Sequence, residues 1–491
     1  MANYIMIQGT SSHVGKSILT TALCRIFFQN DLKVTPFKAQ NMALNSFVTK
    51  DGLEMGRAQV AQAEAAMLDP DVDMNPVLLK PTGNSTSQVI INGKPVGNMS
   101  AKEYHQGYSL IAFKAVKRAL ERLDKNFDII VIEGAGSPAE VNLRANDIVN
   151  MRIAKYLNAP VILVADIDRG GSLAALVGTL ELLEEDEREL VKGLVINKFR
   201  GDIDLFKPAV EFLEQKTGKP VLGVLPFIEK IGIDDEDSVS LDDKENIQHE
   251  GNIKISIIRT PKISNFTDFD SLSGEIDVDL NYSTKVEELE DADLIIIPGS
   301  KNTSEDLIYM QKSGFVEKIR EKVKNGTAII GICGGYQMLG ENIFDPEHTE
   351  SDNDSVEGIG LLPITTTFST GKLTRQVKLE EVDFDFLGSK INSKNLEGYE
   401  IHSGITTSRN NLKISAVLSI NNIFGTYIHG IFENDDFRRQ VLNAIRLAKK
   451  LEPIKNTRNI RAEKQRNYER LAKIVRENIN MDLLNSIIYS D

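Results

Sequence analysis

The fold of the first half of this chain is decided by residues 4–17, which read YIMIQGTSSHVGKS. The apolar run at the start predicts a buried strand, and residues 18–28 continue with the pattern of a helix. The loop between them is rich in glycine and serine and ends in Gly15, Lys16 and Ser17. Because backbone N–H groups that curl into a helix N-terminus bind anions, this stretch predicts a phosphate-binding loop.

The loop contains the residue types that nucleotide binding requires. Lys16 supplies a charge for the β and γ phosphates, and the Ser17 hydroxyl is placed to hold Mg²⁺. Five residues separate Gly9 from Gly15, one more than in the usual loop, and Thr10 occupies the expected first-glycine position. We expect all five of these residues to form the phosphate site of ATP.

Further apolar runs predict a parallel sheet covered by helices, because they show little polar alternation. Glu133 ends one run, and carboxylates at the carboxyl ends of parallel strands face the ligand crevice, so we expect it to contact the metal. Asp166 and Asp168 end another run and are either ligands or helix caps. The runs are residues 4–8, 33–37, 128–132, 160–165, 193–197 and 220–225.

Composition limits the classes of function. The length of 491 residues predicts two large domains or about three ordinary ones. The net charge of −14 provides no basic excess, so nucleic acid and acidic membrane surfaces are poor partners. Cys24 and Cys333 are too few for a disulfide framework, and no apolar run reaches about 18 residues, so we expect a cytoplasmic protein.

The second half repeats the α/β pattern. Residues 229–250 contain nine acidic residues and two lysines without helical periodicity, which is typical of a solvated linker. The expected division is a first domain over 1–228, an acidic linker over 229–252, a second domain over 253–450 and a helical tail over 451–491. The predicted strands are residues 253–258, 294–297, 328–332, 413–418 and 424–428, with a helix over 435–449. In the tail, an amphipathic helix is predicted by the spacing of Tyr468, Leu471, Val475, Ile479 and Leu483.

A candidate nucleophile follows one of these strands. Residues 331–337 read GICGGYQ, and glycines on either side of Cys333 permit the tight turn that raises a nucleophile above a sheet. Such a turn faces the following helix N-terminus, which favours the thiolate. His429 follows a late strand and is the better partner for proton transfer, whereas His402 is its competitor.

Each half resembles a known family. The first resembles dethiobiotin synthetase and its relatives in the loop spacing, in the Glu-Gly-Ala-Gly turn at 133–136 and in its Lys-rich second strand. The second resembles class I glutamine amidotransferases in the cysteine turn and in the loop PGSK at 298–301. These resemblances imply carboxylate phosphorylation by ATP in a P-loop parallel-sheet domain, and glutamine hydrolysis by Cys333 and His429 in a second α/β domain.

The second resemblance also implies an oxyanion site and reveals one departure. Backbone N–H groups near Gly299, Ser300 and Gly334 are expected to bind the oxyanion. Most relatives carry a carboxylate two residues after the histidine, whereas Ile431 stands here. A Cys-His dyad is therefore expected, with Glu433 and Glu400 as candidate helpers.

The order of the halves resembles the enzymes that amidate cobyrinic acid, over essentially the whole chain. The resemblance implies amidation of the b, d, e and g carboxylates of adenosylcobyrinic acid a,c-diamide in cobalamin biosynthesis. ATP, Mg²⁺, L-glutamine and a corrinoid are the implied ligands, with no tightly bound prosthetic group, and Asp147 and His402 are candidate substrate-side residues. The most specific segments are FKAQNMALNS (37–46), ADIDRGG (165–171), NKFRGD (197–202) and GYEIH (398–402).

Two alternatives stay open. The sister enzyme that makes the a,c-diamide performs the same chemistry on other carboxylates, although segment 37–46 favours the first assignment. A partition-type regulatory ATPase with a degenerate amidotransferase-like domain belongs to a different class. Such a switch needs neither Cys333 nor His429, and the net charge of −14 argues against the DNA-binding surface expected of it.

Overall fold

The structure is a computed structural model that describes residues 2–83, 85–229, 231–233, 251–409 and 416–489. It divides into two units. The first comprises Met1–Met42, Met55–Asp234 and Glu463–Asp491, and the second comprises Ala43–Glu54 and Asp235–Ala462. Most of the acidic stretch interpreted as a linker lies outside the described residues. The sequence did not predict that residues 43–54, which lie within the first half of the chain, belong to the second unit.

The first unit is built around a parallel sheet. In chain order the strands of this half are β1 (Asn3–Gly9), β2 (Val34–Phe37), β3 (Gln40–Met42), β4 (Ser46–Val48), β5 (Glu54–Gly56), β6 (Val77–Gly83), β7 (Thr86–Ile91), β8 (Lys94–Ser100), β9 (Ile129–Glu133), β10 (Val161–Asp166), β11 (Val191–Phe199) and β12 (Val221–Pro226). In the described part of the chain the sheet has the order β12-β11-β10-β1-β9-β2 with all pairs parallel.

These strands confirm the predicted parallel sheet, with ends that differ by no more than two residues. The cause is burial on both faces. In β1, Met6 belongs to one hydrophobic core, and Ile5 and Ile7 belong to another. Such strands lack polar alternation, which made them visible in the sequence.

Helices cover both faces of this sheet. The predicted tail helix is present over Ile460–Asn478, and its Tyr468, Leu471 and Val475 are buried in the same core as Leu19 of the first helix. It ends before Ile479, and Leu483 lies in a separate helix, Met481–Ile488, so the prediction of one continuous helix was wrong. The helices of this half and the tail are Lys16–Gln29, Arg57–Ala65, Ala101–Glu103, Ser109–Leu123, Met151–Leu157, Ser172–Leu182, Glu185–Leu190, Ile203–Thr217, Ile460–Asn478 and Met481–Ile488.

A small sheet of the first unit was not predicted. Its strand order is β3-β6-β7-β8, with β6, β7 and β8 antiparallel. Most residues of β8 are exposed, so that strand has no apolar run that could reveal it.

The second unit has its own sheet. Its strands are β13 (Ile253–Ile258), β14 (Ile263–Ser264), β15 (Val278–Ser283), β16 (Leu294–Ile297), β17 (Gly299–Ser300), β18 (Ala328–Ile332), β19 (Asn342–Phe344), β20 (Ser355–Glu357), β21 (Ile364–Phe386), β22 (Ser389–Ser408), β23 (Val417–Ile420) and β24 (Ile423–Thr426). The described helices are Asp270–Ser273, Thr303–Lys312, Phe315–Lys324, Gly334–Met338 and Asp435–Ala448.

The main sheet of this unit has the order β15-β13-β16-β18-β24-β23, parallel except for the β23–β24 pair. The predicted strands at 253–258, 294–297 and 328–332 are confirmed. The strand predicted over 424–428 ends at Thr426, because residues 427–430 turn away toward the site described below. The strand predicted over 413–418 begins at Val417 in the described chain, and residues 413–415 lie outside the described residues.

The long hairpin of β21 and β22 was also missed. It pairs Ile364 with Ser408 at one end and Phe386 with Ser389 at the other. Many of its side chains are polar and exposed, so the sequence does not show the regular alternation of apolar and polar residues that predicts a half-buried strand. Among the described residues, no helix is long and apolar enough to cross a membrane.

Candidate functional site

The phosphate loop of the first unit has the backbone shape that anion binding requires. Gly15 caps the helix Lys16–Gln29 in a left-handed conformation with φ of 100°. A Cβ atom at this position would lie 2.0 Å from Nδ2 of Asn197, so the position requires glycine for two reasons. Asn197 Nδ2 donates to the Val14 carbonyl at 2.8 Å, which fixes the loop to the end of β11.

Lys16 lies inside this loop. It is buried, and its ammonium donates to the carbonyls of Ser11 at 2.8 Å and Gly136 at 3.1 Å. Thr10, expected to face phosphate, uses its backbone N–H in a 2.9 Å hydrogen bond to the Val164 carbonyl. This amide therefore extends the sheet and does not contribute to the anion nest.

Glu133 and Ser17 come together as predicted for a metal site. The Ser17 hydroxyl donates to Glu133 at 2.8 Å, and the Lys38 ammonium donates to the same carboxylate at 2.9 Å. Gln62 donates to the second carboxylate oxygen at 2.5 Å. In the described part of the chain, no three acidic, histidine or cysteine side chains are grouped so that they could hold a metal ion by themselves. A metal ion at Ser17 and Glu133 would therefore have few protein ligands and would also bind nucleotide phosphates. Mg²⁺ in nucleotide sites is usually bound in this way.

Asp147 has a structural role and also lines a cavity. Its carboxylate accepts hydrogen bonds from the N–H groups of Val149 and Asn150, both at 3.0 Å, and burial raises its pKa. The cavity has a volume of about 630 Å³ and includes Gly136, which binds Lys16. These bonds stabilise the turn that precedes the helix Met151–Leu157, whose N-cap is Asn150. A substrate-side role for Asp147 stays a prediction.

Asp166 and Asp168 are held in ion pairs. Asp166 accepts a hydrogen bond from Lys198 at 2.8 Å, and Asp168 accepts one from Arg200 at 2.9 Å. Lys198 also donates to the His13 carbonyl of the phosphate loop at 2.8 Å. These carboxylates therefore order the rim of the loop.

Cys333 stands in the turn that the sequence predicted. It follows β18, caps the helix Gly334–Met338 and has φ of 52°, which is a strained conformation for a residue with a side chain. A Cβ atom at Gly335 would lie 2.0 Å from the Ile297 carbonyl, so only glycine allows this close approach. Strain of this kind persists where the surroundings enforce it, and here it presents the thiol above the sheet.

His429 interacts electrostatically with Cys333, and a carboxylate that the sequence did not reveal orients it. Nδ1 of His429 lies 2.6 Å from Oδ2 of Asp268, whose other oxygen accepts the Gly430 N–H at 3.0 Å. The expected dyad is therefore a triad-like arrangement. Asp268 replaces the carboxylate that most relatives carry two residues after the histidine, where Ile431 stands.

The neighbouring charges control the protonation of His429. Burial alone lowers the pKa of this histidine, but Asp268 and Cys333 outweigh it through charge and hydrogen bonding and raise the pKa to about 10. With Nδ1 bound to Asp268, Nε2 is left for the thiol. The arrangement can therefore accept the thiol proton and stabilise the imidazolium that results.

We expect Asp268→Asn to lower glutaminase turnover by about 10² to 10⁴-fold. The asparagine keeps a polar contact but removes the charge that raises the His429 pKa, so the imidazolium loses its proton at a lower pH. Steady-state assays across pH should show the alkaline limb of the profile moving to lower pH. An unchanged profile with unchanged turnover would show that Asp268 has no part in the reaction.

The expected oxyanion residues lie around the same thiol. A Cβ atom at Gly334 would be 3.0 Å from the Ser300 nitrogen, and one at Gly299 would be 3.2 Å from Cε1 of His429. Ser300 uses its hydroxyl to donate to Asp306 at 2.6 Å, which holds the loop in place. The structure therefore brings Gly299, Ser300 and Gly334 together with the cysteine and histidine.

His402 and Glu400 lie close by but make other contacts. The His402 ring stacks on Tyr427 with a centroid distance of 3.7 Å, and burial lowers its pKa. Glu400, a candidate helper of the histidine, is paired with Arg375 at 2.7 Å. The carbonyl of the intervening Ile401 accepts a hydrogen bond from the Cys333 thiol at 3.4 Å.

Asp268 and Tyr399 are the residues of this site that sequence reasoning missed. The Tyr399 ring stacks on the His429 ring at 5.3 Å. Asp268 lies in a short 3-10 turn, Phe266–Phe269, after β13 and β14. Asp268 lies ten residues beyond the end of β13 at Ile258, so it lacked the strand-end signal that identified Glu133.

Comparison with known proteins assigns both halves. Residues 5–240 match the family model described as a CobQ/CobB/MinD/ParA nucleotide binding domain, and residues 254–437 match the CobB/CobQ-like glutamine amidotransferase domain. A cobyric acid synthase of Moorella thermoacetica is 50% identical over 505 residues, which cover 99% of this chain and 98% of the relative. One of Carboxydothermus hydrogenoformans is 50% identical over 499 residues, which cover 99% of this chain and all of the relative (100%).

The two matched domains and their α/β sheets define the class: a glutamine-dependent amidating ligase with a nucleotide-binding half. The full-length matches go further. The chain belongs to the cobyric acid synthase family, which confirms the resemblance carried by the four quoted segments.

Proposed function

We propose that this protein amidates the b, d, e and g carboxylates of adenosylcobyrinic acid a,c-diamide in the cytoplasm, using ATP and L-glutamine. Residues 1–228 are assigned to carboxylate activation and residues 253–450 to glutamine hydrolysis. The observation that carries the proposal is the presence of both a phosphate loop and a complete Cys333, His429 and Asp268 arrangement in one chain. Family membership supports the choice of substrate.

Glutamine hydrolysis begins at Cys333. His429 takes the proton of the Cys333 thiol, and the resulting thiolate attacks the glutamine carboxamide carbon. The imidazolium then gives this proton to the departing ammonia as the C–N bond breaks and the thioester forms. N–H groups near Gly299, Ser300 and Gly334 stabilise the oxyanion. Water then hydrolyses the thioester and releases glutamate.

Carboxylate activation belongs to the phosphate loop. Lys16 and the N–H groups of the loop bind the ATP phosphates and offset the charge that develops during transfer. Ser17 and Glu133 would hold Mg²⁺, which supplies further charge neutralisation when bound. The γ-phosphoryl group of ATP passes to a corrinoid carboxylate, which leaves ADP and an acyl phosphate. Ammonia attacks the acyl carbon, and departure of phosphate leaves the amide.

The cavity beside Gly136 is suited to one arm of the corrin. Its volume of about 630 Å³ exceeds that of a single carboxylate arm, and its lining includes Gln40, His105 and Asp147. Nδ1 of His105 is buried and has no hydrogen-bond partner among the residues that the structure describes, so it can bind an amide or carboxylate. We assign this cavity to the side chain that is being amidated.

Mass spectrometry of the products made with ATP and glutamine from adenosylcobyrinic acid a,c-diamide, and in a separate reaction from cobyrinic acid, tests the proposal. Four added amides are expected. Amidation of cobyrinic acid only at a and c, with the diamide left unchanged, would instead assign the sister activity. Glutamine hydrolysis without any corrinoid product would contradict the proposed function.

His429→Ala should reduce glutaminase turnover by about 10² to 10⁴-fold, the usual effect of removing a general base. His402→Ala is the matched variant, because this ring is near the thiol but stacks on Tyr427. It should affect turnover much less. Steady-state glutaminase assays of both purified variants decide between them, and a larger loss in His402→Ala would reverse the assignment.

A further inference from the structure

Residues 43–54 belong to the second unit although the chain on both sides belongs to the first. They include β4 (Ser46–Val48), and they continue the stretch 37–46 that is specific to this family. Nothing in either proposed half-reaction uses them. Their contacts show what they do.

The beginning of this segment holds the loop that carries Asp268. The buried Asn45 side chain accepts the Phe266 N–H at 3.1 Å. Ser46 and Asn265 form a reciprocal pair, in which the Ser46 N–H donates at 3.3 Å and its carbonyl accepts at 3.2 Å. Because Phe266 precedes Asp268 by two positions, these bonds set the position of the carboxylate.

The same segment holds the residue that packs on His429. The Tyr399 hydroxyl donates to the Ser46 carbonyl at 3.0 Å, and Phe47 packs edge-on against the Tyr399 ring at 5.0 Å. Tyr399 stacks on His429 and exchanges backbone hydrogen bonds with it at 2.8 and 3.1 Å. The segment therefore contacts the supports of both His429 and Asp268.

The stretch that leads into this segment contacts the nucleotide site. Lys38 donates to Glu133 at 2.9 Å, and Asn45 follows Lys38 by seven positions. The far end is also held, since Thr374 donates to the Gly52 carbonyl at 2.6 Å. A change at Lys38 on ligand binding can therefore reach Asn45 through a short stretch of chain.

We propose that residues 43–54 are a coupling segment, which positions Asp268 and His429 and makes glutamine hydrolysis depend on occupancy of the ATP and corrinoid sites. This inference rests on the proposed function. Ammonia released without an activated carboxylate is lost as ammonium, so a device that links the two reactions has a chemical purpose. Asn45 and Tyr399 are positioning residues in this scheme.

The test compares glutaminase kinetics with and without ATP plus cobyrinic acid a,c-diamide. In the unaltered protein we expect kcat to rise about 5-fold or more, within the usual range of coupling between two sites. In Asn45→Ala and in Tyr399→Phe, which keeps the ring on His429, this stimulation should disappear. Amidation driven by ammonium chloride should persist in both, because it does not require the thiol site.

Asn443→Ala is the matched control. Asn443 makes a similar amide-to-backbone pair with Ile454, with both hydrogen bonds at 2.9 Å, but contacts no residue of the thiol site in the described structure. It should keep full stimulation. Stimulation that is absent from the unaltered protein, or that survives in both test variants, would overturn the inference. If the proposed function itself were wrong, ammonium-driven amidation would be absent from every protein, including the unaltered one.

Discussion

Cys333→Ser is expected to lose glutamine-dependent amidation by at least about 10⁴-fold while it keeps amidation driven by ammonium salts. The serine hydroxyl is a far weaker nucleophile than a cysteine thiolate. The residues proposed for carboxylate activation, Lys16, Ser17 and Glu133, lie in the other unit. The two nitrogen sources should therefore respond differently to the same substitution.

The assay measures corrinoid amides by mass spectrometry with glutamine or ammonium chloride as the nitrogen donor. Cys24→Ala is the matched control, since Cys24 is the other cysteine and is buried in the core of the first unit. It should retain both activities. Equal loss with both donors in folded Cys333→Ser protein would contradict the division of labour between the halves.

The parts of the fold that were visible in the sequence share one property, which is burial on both faces. β1, β9 and β10 consist of continuous apolar residues, and their hydrogen-bonding partners are similar strands. β21 and β22 could not be recognised in this way, because each strand alternates buried and charged residues over a long hairpin. Local patterns therefore identified the central sheets and missed the peripheral strands.

The residues of the candidate sites also fall into those that local sequence identified and those that it missed. Lys16 and Cys333 stand in turns whose glycines are required by the immediate backbone, so a short sequence was sufficient to find them. Asp268 reaches His429 from a loop far away in the chain, and no local spacing connects the two. The resemblance to class I glutamine amidotransferases predicts the orienting carboxylate close after His429, where Ile431 stands. The contact between Asp268 and His429 forms only when the unit folds.

Residues 43–54 could not be assigned to the second unit from the sequence, because their contacts are also distant along the chain. Segment 37–46 was recognised as specific to the family, but its polar residues, such as Asn45 and Ser46, gave no sign of their partners. Those partners are Asn265, Phe266 and Tyr399, which lie more than 200 positions away in sequence. The sequence therefore identified segment 37–46 as specific to the family, but only the contacts of Asn45 and Ser46 indicate what the segment does.

Lys16→Ala is expected to abolish amidation from glutamine and from ammonium alike, with a loss of about 10³-fold or more. Both donors need the activated carboxylate, and in the proposed mechanism Lys16 offsets the charge of the transferring phosphoryl group. The side chain is buried and bound to the carbonyls of Ser11 and Gly136. Basal glutaminase, measured without ATP, should survive because Cys333 lies in the other unit.

Product formation and ATP affinity measured together test this expectation, the second by isothermal titration. Lys114→Ala removes an exposed lysine from the helix Ser109–Leu123 and should leave both quantities unchanged. Removal of Lys16 leaves two carbonyls without their donor, at a cost of about 1 to 3 kcal/mol each where they stay dry, so thermal unfolding must establish that the variant is folded. Normal product yield together with unchanged ATP affinity in folded Lys16→Ala would remove the phosphate loop from the mechanism. Loss of basal glutaminase as well would instead show that the thiol site depends on Lys16 even when no nucleotide is bound.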